Sequence, residues 1–576
     1  MSEVVVGIDF GSSGSGFAYS FMNENNINHG YIYGANVDNK VPTEIILDNS
    51  YKILEFGSGC KQYLKEKGMN VGNYFKEIKM HLYSKKNEIE SSNSKIKLSL
   101  TLVIQKVLEK LKELAVIELK KLRKNISESN IKWVVTVPAI WEDFQKGIMM
   151  EASIKAGLIN ENTDKSLFFA LEPEAASLYC SRNKDINQKY LEKGKYYIIC
   201  DLGGGTGDIV SHLVGNNQRL DEINCACGGN YGSNEIDKQI FEDLIFNLFG
   251  FKNFNSLHQK FNELEINEEE EVLFDMWCEL ERQIRDFKEG ANLQKICNDE
   301  KFPINFSIFQ DFFEDEDIDD IINKFYSKFP NYKFELNVKS KRKWVIELPY
   351  KIICDYIEKQ AKKICKVIKN IIIKSKKNIE TIIFVGGYCS NEILINFLKT
   401  NLKKKIKTFL QPSKPCLAIM EGAVLFGINP KIIESRIAKY TLGIDFNTLW
   451  NEKLHSEFGE KYIDEETGLD MCYNCFDKFI EINQKLKLDK EITHLYKSRG
   501  PRYCSINFYK TLKNQPIFSF EKGMEKFGQL RLDAKKDYPF GERDIKVTMK
   551  FGGTFIDVNA IHVKSGNEIK ATLTFN

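Results

Sequence analysis

The sequence contains no apolar run long enough to cross a membrane, and it carries almost no net charge. Its longest apolar segment, residues 416–428, is shorter than the roughly 18 residues that a spanning helix needs, and Glu421 interrupts it. The 82 basic residues nearly balance the 80 acidic ones and leave a net charge of +2, whereas broad binding to nucleic acid or to a membrane surface requires a clear basic excess. We therefore expect neither a nucleic-acid partner nor insertion into a membrane.

The chain also lacks a recognisable export signal, a complete zinc motif and a catalytic triad. Because no basic segment precedes a small-residue cleavage site, the 14 cysteines are expected in a reducing compartment, by default the cytoplasm. Cys472 and Cys475 form a C-x-x-C pair, but no second pair completes the four ligands of tetrahedral zinc, which favours buried thiols. The seven histidines show no arrangement with serine that indicates nucleophilic catalysis.

A pattern of strand, aspartate, glycine turn and strand occurs twice. The first copy runs from the apolar residues 4–8 through Asp9 into residues 17–21. The second runs from residues 196–200 through Asp201 into residues 209–213. Each copy predicts a β-hairpin with a long glycine turn, and the recurrence indicates two duplicated lobes.

A third glycine turn, Gly386–Gly387, follows an apolar run and precedes a predicted helix over residues 391–402. Such turns suit phosphate and magnesium chemistry, because glycine lets backbone N–H groups approach phosphate oxygens and a nearby aspartate holds Mg²⁺ through its water shell. One turn is a weak signal. Two facing turns and a third indicate a nucleotide between two lobes, with its phosphates at the hairpins and its nucleoside at the third turn.

The periodicity of the sequence changes near residue 440. Before it, residues 102–123 carry an apolar stripe at helical spacing, which is typical of a core-facing helix. After it, short alternating strands such as residues 545–551 dominate and predict a separate β-sandwich. The basic segment 435–440 is expected to be a linker or the end of a last helix.

Five segments resemble the 70-kDa heat-shock chaperone family in content and in order. They are GIDFGSSGSGFAYSF, LEPEAASLY, CDLGGGTGDIVSHLV, GGNYGSNEID and FVGGYCSN. The phrases VGGY, AIMEGAVLFGINP, YTLGID and FKEIKMHLY are more similar to the divergent type-12 branch of that family. The resemblance covers about residues 4–430 and implies an α/β fold of the actin/hexokinase type. Two duplicated ribonuclease H-like lobes would hold ATP or ADP and Mg²⁺ in the cleft between them.

The resemblance also implies roles for particular residues. Asp9 and Asp201 would organise the water shell of the metal, and Glu172, Thr206 and Asp208 would lie beside the attacking water. The other nucleotide contacts that it implies are Gly11, Ser12, Ser13, Gly203, Gly204, Gly205, Gly232, Ser233, Asn234, Gly386, Gly387 and Tyr388. Ser12, Ser13 and Tyr388 depart from the residues that the family commonly has at these positions.

Lys79 is the expected match to the family lysine that stabilises charge on the transferred phosphoryl group. Lys76 lies three residues earlier and leaves the choice of lysine open. Glu281, Arg285 and Lys288 share one helix face by their spacing of four and three. The resemblance implies that this face contacts adenine, and a surface row of salt bridges is the alternative.

The resemblance divides the chain into three parts and an extra helix. We expect a first lobe over 1–190 with an insertion at about 37–124, a second lobe over 191–410 with an insertion at about 236–344, a helix within 411–435 that returns to the first lobe, and a β-sandwich over 441–576. The sandwich is similar to the family's peptide-binding domain. Because the chain stops after the last predicted strand, the helical lid of that domain is expected to be absent. A basic segment also replaces the usual acidic linker.

The leading hypothesis is an ATP-binding, chaperone-like protein with slow magnesium-dependent hydrolysis that regulates the binding of a protein or peptide client. One alternative is a nucleotide-gated scaffold with negligible ATPase activity. Another is a metabolite kinase of the same superfamily, which the sandwich and the LEPEAA motif disfavour. The sequence names no client, no co-chaperone and no oligomeric state.

Overall fold

Two large mixed sheets share the order of five of their strands, and a glycine-turn hairpin lies within each. The computed structural model describes residues 3–24, 26–30, 32–33, 37–68, 70–94, 96–159, 166–252, 270–313 and 317–573. The six-stranded sheet has the order Leu167–Leu171, Ile131–Val137, Val4–Asp9, Gly14–Phe21 and Asn28–His29, with Lys40–Pro42 also paired to Gly14–Phe21. The seven-stranded sheet has the order Thr408–Leu410, Thr381–Val385, Tyr196–Leu202, Gly207–Val214, Leu220–Gly229, Ile433–Ile437 and Lys485–Lys487.

Both predicted hairpins are confirmed. Val4–Asp9 pairs antiparallel with Gly14–Phe21, and Tyr196–Leu202 pairs antiparallel with Gly207–Val214. On the other side of each first arm lies a parallel strand. Every residue of Val4–Asp9 is buried, as expected for an apolar strand that is covered on both faces. The two sheets thus place equivalent glycine turns at equivalent strand ends.

The helices lie against these sheets and in the segments between their strands. The α-helices are Cys60–Lys67, Ile78–Tyr83, Leu100–Leu122, Asp143–Lys155, Glu172–Arg182, Asn234–Gln239, Phe246–Leu248, Glu270–Glu289, Leu293–Cys297, Ile318–Lys328, Lys351–Ser375, Glu392–Leu402, Ala418–Ile428 and Glu452–His455, and Ile240–Ile245 is a π-helix. The helices predicted at 102–123 and 391–402 are confirmed. Smaller sheets consist of Ile45–Leu47 with Ile53–Phe56 and Asn73–Phe75, of Ile32–Tyr33 with Val37–Asp38, of Glu88–Glu90 with Lys97–Ser99, and of Lys301–Asn305 with Asn337–Ser340 and Val345–Pro349.

One apolar core joins the two large sheets. Val5 and Val134 of the first sheet and Ile199 of the second belong to the same buried cluster. The helices Glu172–Arg182 and Ala418–Ile428 contribute to that cluster and contact each other closely. A Cβ atom at Gly422 would lie 1.8 Å from the carbonyl oxygen of Ala175, so only glycine permits this approach. The helix expected within 411–435 also contacts Val4–Asp9 and Ile131–Val137 of the six-stranded sheet.

The basic segment after this helix differs from our expectation. Ile433–Ile437 is neither a linker nor a helix end but a strand of the seven-stranded sheet, parallel to Leu220–Gly229. Arg436 lies buried in it and donates two hydrogen bonds, both 2.7 Å long, to the carboxylate of Glu174. A basic residue can occupy this buried strand because a bidentate carboxylate compensates its charge.

The C-terminal part of the chain forms two facing sheets. The five-stranded sheet has the order Lys461–Ile463, Asp470–Ile480, Thr441–Leu449, Tyr503–Thr511 and Glu525–Asp533, and the four-stranded sheet has the order Lys490–Lys497, Asp544–Phe551, Ile556–His562 and Glu568–Leu573. Side chains of both sheets share one apolar cluster. Contacts that join this unit to the rest of the chain include the pairing of Lys485–Lys487 with Ile433–Ile437, the ion pair of Lys485 with Asp221 at 2.8 Å, and a hydrogen bond from the hydroxyl of Thr554 to the carbonyl of Phe169 at 2.8 Å. No helix among the described residues is both long and apolar enough to span a bilayer.

The pair of Arg436 and Glu174 allows a test of the fold. The substitution Arg436→Met leaves a buried carboxylate without its partner, so we expect the free energy of unfolding to fall by about 3–5 kcal/mol. The matched control Arg219→Met removes an exposed ion pair with Glu434 and should cost no more than about 1 kcal/mol. Urea unfolding followed by fluorescence measures both.

Adding Glu174→Gln to Arg436→Met removes the unpaired charge and should recover part of the lost stability. Equal stabilities for wild type and Arg436→Met would show that the pair does not hold this strand.

Candidate functional site

Three turns meet between the two large sheets. They are the first hairpin turn with Ser12 and Ser13, the second with Gly204 and Gly205, and a turn that leads into the helix Asn234–Gln239. A Cβ atom at Gly204 would lie 1.6 Å from Ser13 Oγ, and one at Gly205 would lie 2.5 Å from Ser12 Oγ. The hydroxyl of Ser13 donates to Asn234 Oδ1 at 3.1 Å. The turns are therefore in direct contact, and a phosphate group can enter between them only when they separate.

The third of these turns is bonded to the second through its backbone. The N–H groups of Gly232, Ser233 and Asn234 donate to the carbonyls of Gly205, Gly203 and Gly204, at 3.2, 3.2 and 2.8 Å. The second hairpin turn closes on itself, because Gly203 N–H donates to the carbonyl of Thr206 at 3.0 Å. The structure thus brings together most of the residues for which the resemblance implies phosphate contacts, namely Ser12, Ser13, Gly203, Gly204, Gly205, Gly232, Ser233 and Asn234.

Four carboxylates lie buried behind these turns. Asp9 and Asp201 occupy equivalent positions in the two hairpins, Asp208 is the cross-strand partner of Asp201, and Glu172 begins the helix Glu172–Arg182. Burial, and then the charges of Glu172 and Asp208, raise the pKa of Asp201 well above its ordinary value. With all four groups ionised the cluster would carry more negative charge than its described cationic partners neutralise, which favours the binding of a cation or of protons.

Two of these carboxyl groups titrate near neutral pH. Burial raises the pKa of Asp208 to about 6, although the N–H of Ile140 donates to its Oδ1 at 3.0 Å and Lys79 is near. Burial, with the charges of Asp208 and Asp9, raises the pKa of Glu172 to about 7 against the opposing charge of Lys79. Both groups can therefore exchange a proton close to neutral pH.

Lys79 lies in this cluster and Lys76 does not. Lys79 Nζ is buried 2.5 Å from Glu172 Oε1 and 5.5 Å from the centre of the Trp141 ring. Lys76 Nζ instead lies 2.6 Å from Glu281 Oε1 on the helix Glu270–Glu289. Of the two lysines that the sequence left open, the structure places only Lys79 beside the carboxylates.

Oxygen ligands around Asp201 fit a magnesium ion with its waters. Asp201 Oδ1 is buried without a hydrogen-bond partner, and the backbone of Gly386 approaches it closely. A Cβ atom at Gly386 would lie 2.6 Å from that oxygen, and the backbone there has a φ of 87°, which also requires glycine. Carboxylate oxygen and water are the ligands that Mg²⁺ prefers. Asp201 and Asp9 are the residues that would hold the ion.

The turn at Gly386–Gly387, which we expect to contact the nucleoside, matches the prediction less closely than the phosphate-binding turns do. Gly387 faces open space, as a contact residue would, but Tyr388 is buried in the core with its hydroxyl unpaired. Burial raises the pKa of that hydroxyl. Tyr388 therefore contributes packing, and any contact with a nucleoside at this turn falls to the backbone of Gly386 and Gly387.

The helix face with Glu281, Arg285 and Lys288 is mostly occupied by ion pairs. Burial alone would raise the pKa of Glu281, but the charges of Lys76 and Lys61 outweigh it and hold it at about 2. Lys288 Nζ lies 2.6 Å from Asp237 Oδ2. Arg285 lines a cavity of about 630 Å³ between this helix and the helix Cys60–Lys67. Of the three residues, Arg285 is the one that the structure leaves facing a cavity.

Two residues near the carboxylates were missed by the sequence reasoning. Lys40 forms an ion pair with Asp9, and Lys439 donates to the carbonyl of Ile140, whose N–H contacts Asp208. No local spacing links Lys40 to Asp9 or Lys439 to Asp208.

A third residue that was missed, Glu174, could have been found from the sequence. It lies in the LEPEAA motif, and a buried glutamate requires a cationic partner.

The C-x-x-C pair gains a third group in the structure. His455, Cys472 and Cys475 are buried with their ligand atoms within 4.8 Å of one another, and among the described residues no other such group is found. However, His455 Nδ1 accepts the N–H of Asn451 at 3.0 Å, so its proton lies on Nε2, which faces Cys475 Sγ at 3.9 Å. That nitrogen is not free to bind a metal, and the geometry gives no support to a zinc site.

Comparisons with known proteins show which family the chain is similar to. Residues 65–270, which include Lys79, Glu172 and Asp201, match the family model described as Hsp70 protein. The chain is 26% identical to Heat shock 70 kDa protein 12A of Mus musculus, over 99% of this chain and 91% of the relative. It is 25% identical to Heat shock 70 kDa protein 12B of Homo sapiens, over 100% of this chain and 91% of that protein. It is also 25% identical to the Chaperone protein DnaK of Carsonella ruddii, over 56% of this chain and 45% of the relative.

The raised pKa values predict how stability changes with pH. Between the ordinary carboxyl pKa and the raised values near 6 and 7, the folded protein holds protons that the unfolded chain has released. These groups therefore lower the free energy of unfolding as pH rises from about 4 to about 7. The substitution Glu172→Gln cannot titrate and should flatten this fall.

Urea unfolding at several pH values in that range measures the slope. The control Glu151→Gln changes an exposed glutamate and should leave the slope as in wild type. A Glu172→Gln slope equal to that of wild type would contradict the assignment.

Proposed function

The chain is a divergent Hsp70-like protein similar to the type-12 proteins, and on that premise we propose that it binds ATP with Mg²⁺ and hydrolyses it slowly. The nucleotide would occupy the region between the two large sheets. The observation that carries this proposal is the meeting of Asp9, Glu172, Asp201 and Asp208 with Lys79 behind glycine turns of both hairpins.

The proposed architecture is a two-lobed, actin-like ATPase followed by a β-sandwich. Residues 1–190 and 191–410 would be the two lobes, each built on one large sheet, and 441–576 would be the sandwich. The shared strand order of the two sheets supports this division. The strands Ile433–Ile437 and Lys485–Lys487 would couple the sandwich to the second lobe, since both belong to its sheet.

The proposed mechanism assigns each buried group one task. Backbone N–H groups of the two hairpin turns and the hydroxyls of Ser12 and Ser13 would bind the phosphates once the turns separate. Asp9 and Asp201 would hold Mg²⁺ through water. When bound, the ion neutralises phosphate charge and orients the terminal phosphate for attack by water.

The attacking water would be positioned by Thr206, Asp208 and Glu172. Asp208 would accept its proton, because a carboxylate with a pKa of about 6 is a competent base near neutral pH. Lys79 would stabilise negative charge on the transferred phosphoryl group in this buried site. Its present bond to Glu172 keeps the ammonium aimed at the cluster.

A second candidate function is a nucleotide-gated scaffold with negligible hydrolysis. The contact that favours it is the hydrogen bond between Ser13 and Asn234, which keeps the phosphate-binding turns together. In that case nucleotide binding would separate the turns and change the state of the sandwich without turnover.

We further propose that residues 441–576 bind a protein or peptide client. Three exposed apolar side chains, Leu449, Ile463 and Leu469, lie at one end of the five-stranded sheet. Leu449 and Ile463 pair with the start of the strand Asp470–Ile480, and Leu469 directly precedes that strand. Exposed apolar side chains that are gathered in one place favour a protein partner. A cytoplasmic location is proposed as well, since all 14 cysteines are free thiols.

The substitution Asp201→Asn tests the proposed ATPase. It keeps the shape of the side chain but removes a charge from the metal site, so phosphate release from ATP should fall by about 100-fold. The control Asp48→Asn alters an exposed loop aspartate and should retain wild-type turnover. Phosphate release with saturating Mg·ATP measures both.

Equal turnover in wild type and Asp201→Asn would remove the assigned site. A rise in melting temperature with Mg·ATP, without phosphate release above background, would select the scaffold function instead.

A further inference from the structure

Lys40 occupies an unusual position beside the phosphate-binding turns. It belongs to the short strand Lys40–Pro42, which pairs with Gly14–Phe21 directly after the first hairpin turn. Its ammonium forms an ion pair with Asp9, whose side chain is 2% exposed. Lys40 therefore places a fixed positive charge on one of the two carboxylates that would hold the metal.

The position of Lys40 is set by the backbone around it. Residue 40 lies opposite Gly16 in the strand pair, and the absence of a side chain there gives the lysine stem its path, since a Cβ atom at Gly16 would lie 3.1 Å from Lys40 Cγ. Thr43, the residue directly after the strand Lys40–Pro42, donates its hydroxyl hydrogen to the carbonyl of Gly11 at 2.7 Å. The segment that carries Lys40 is thus bonded to the turn that would contact the phosphates.

The two aspartates of the proposed metal site are consequently not equivalent. Asp201 keeps a buried oxygen without a partner, whereas Asp9 is already neutralised by an ammonium of the protein. An ammonium in this place can donate charge-assisted hydrogen bonds to phosphate oxygens in the same way as it does to the carboxylate of Asp9. Unlike a metal ion, this positive charge belongs to the protein and need not be recruited from solution.

We propose that Lys40 is a built-in cation of the nucleotide site, which supplies part of the positive charge that a divalent metal would otherwise supply to the phosphates. The inference rests on the proposed nucleotide binding and adds to it that binding depends only weakly on Mg²⁺. Removing the lysine should convert the site into one that requires the metal.

The experiment measures equilibrium binding of a fluorescently labelled ADP by anisotropy, once with excess Mg²⁺ and once with EDTA instead. For wild type, removing Mg²⁺ should weaken binding by less than about tenfold. For Lys40→Met, removing Mg²⁺ should weaken ADP binding by about tenfold or more beyond the factor seen for wild type. This difference corresponds to the loss of one charge-assisted contact. The control Lys155→Met removes a lysine from an exposed ion pair and should behave as wild type.

Two more variants keep the test decisive. Lys40→Arg retains the charge and should restore the weak dependence on Mg²⁺, which a purely structural role of the lysine stem would not predict. If Lys40→Met does not fold, as judged by circular dichroism, Lys40→Gln takes its place as a neutral polar substitute.

If removing Mg²⁺ weakens ADP binding by the same factor in wild type and in the neutral variant, the role of Lys40 is overturned while nucleotide binding remains intact. Absence of labelled-ADP binding by wild type with Mg²⁺ would instead overturn the proposed function, and this inference with it.

Discussion

The burial of four carboxylates behind facing glycine turns is the constraint on which the site depends. Such a concentration of negative charge away from water is unfavourable unless cations compensate it. Lys79 and Lys40 provide part of that compensation through ion pairs with Glu172 and Asp9. Asp201 remains without a partner on one oxygen, which makes the protein dependent on a further cation, on protons or on both.

The rest of the fold keeps these carboxylates in place. Two sheets that share the order of five strands present equivalent hairpins, and one apolar core with two closely packed helices joins them. Glu172 and Glu174 begin the same helix, so the strand that carries Arg436 is bonded to the element that carries the ion pair of Lys79. The C-terminal sheets contact that strand through Lys485–Lys487, which gives a continuous physical connection between the two parts of the chain.

Much of this arrangement could be predicted from sequence, because the informative features are local. An apolar run that ends in aspartate and glycines predicts a hairpin turn, and apolar residues at helical spacing predict a helix. Both hairpins, the turn at Gly386–Gly387 and the helices Leu100–Leu122 and Glu392–Leu402 follow such local patterns. The partners of buried charges follow no local rule. Lys40 with Asp9 and Arg436 with Glu174 join residues far apart in the chain. For the same reason the expectation of a linker or helix end at 435–440 was wrong: Arg436 suggests exposure until the carboxylate of Glu174 that faces it is known.

The central claim is that a nucleotide occupies the region between the two hairpin turns, next to the buried carboxylates. A crystal structure of the full chain grown with Mg·ADP tests this most directly. The account predicts that the phosphates lie between the turns with Ser13 and Gly204, that these turns have separated, and that the hydrogen bond between Ser13 and Asn234 is broken. A nucleotide bound elsewhere on the chain, with the turns still in contact, would contradict it.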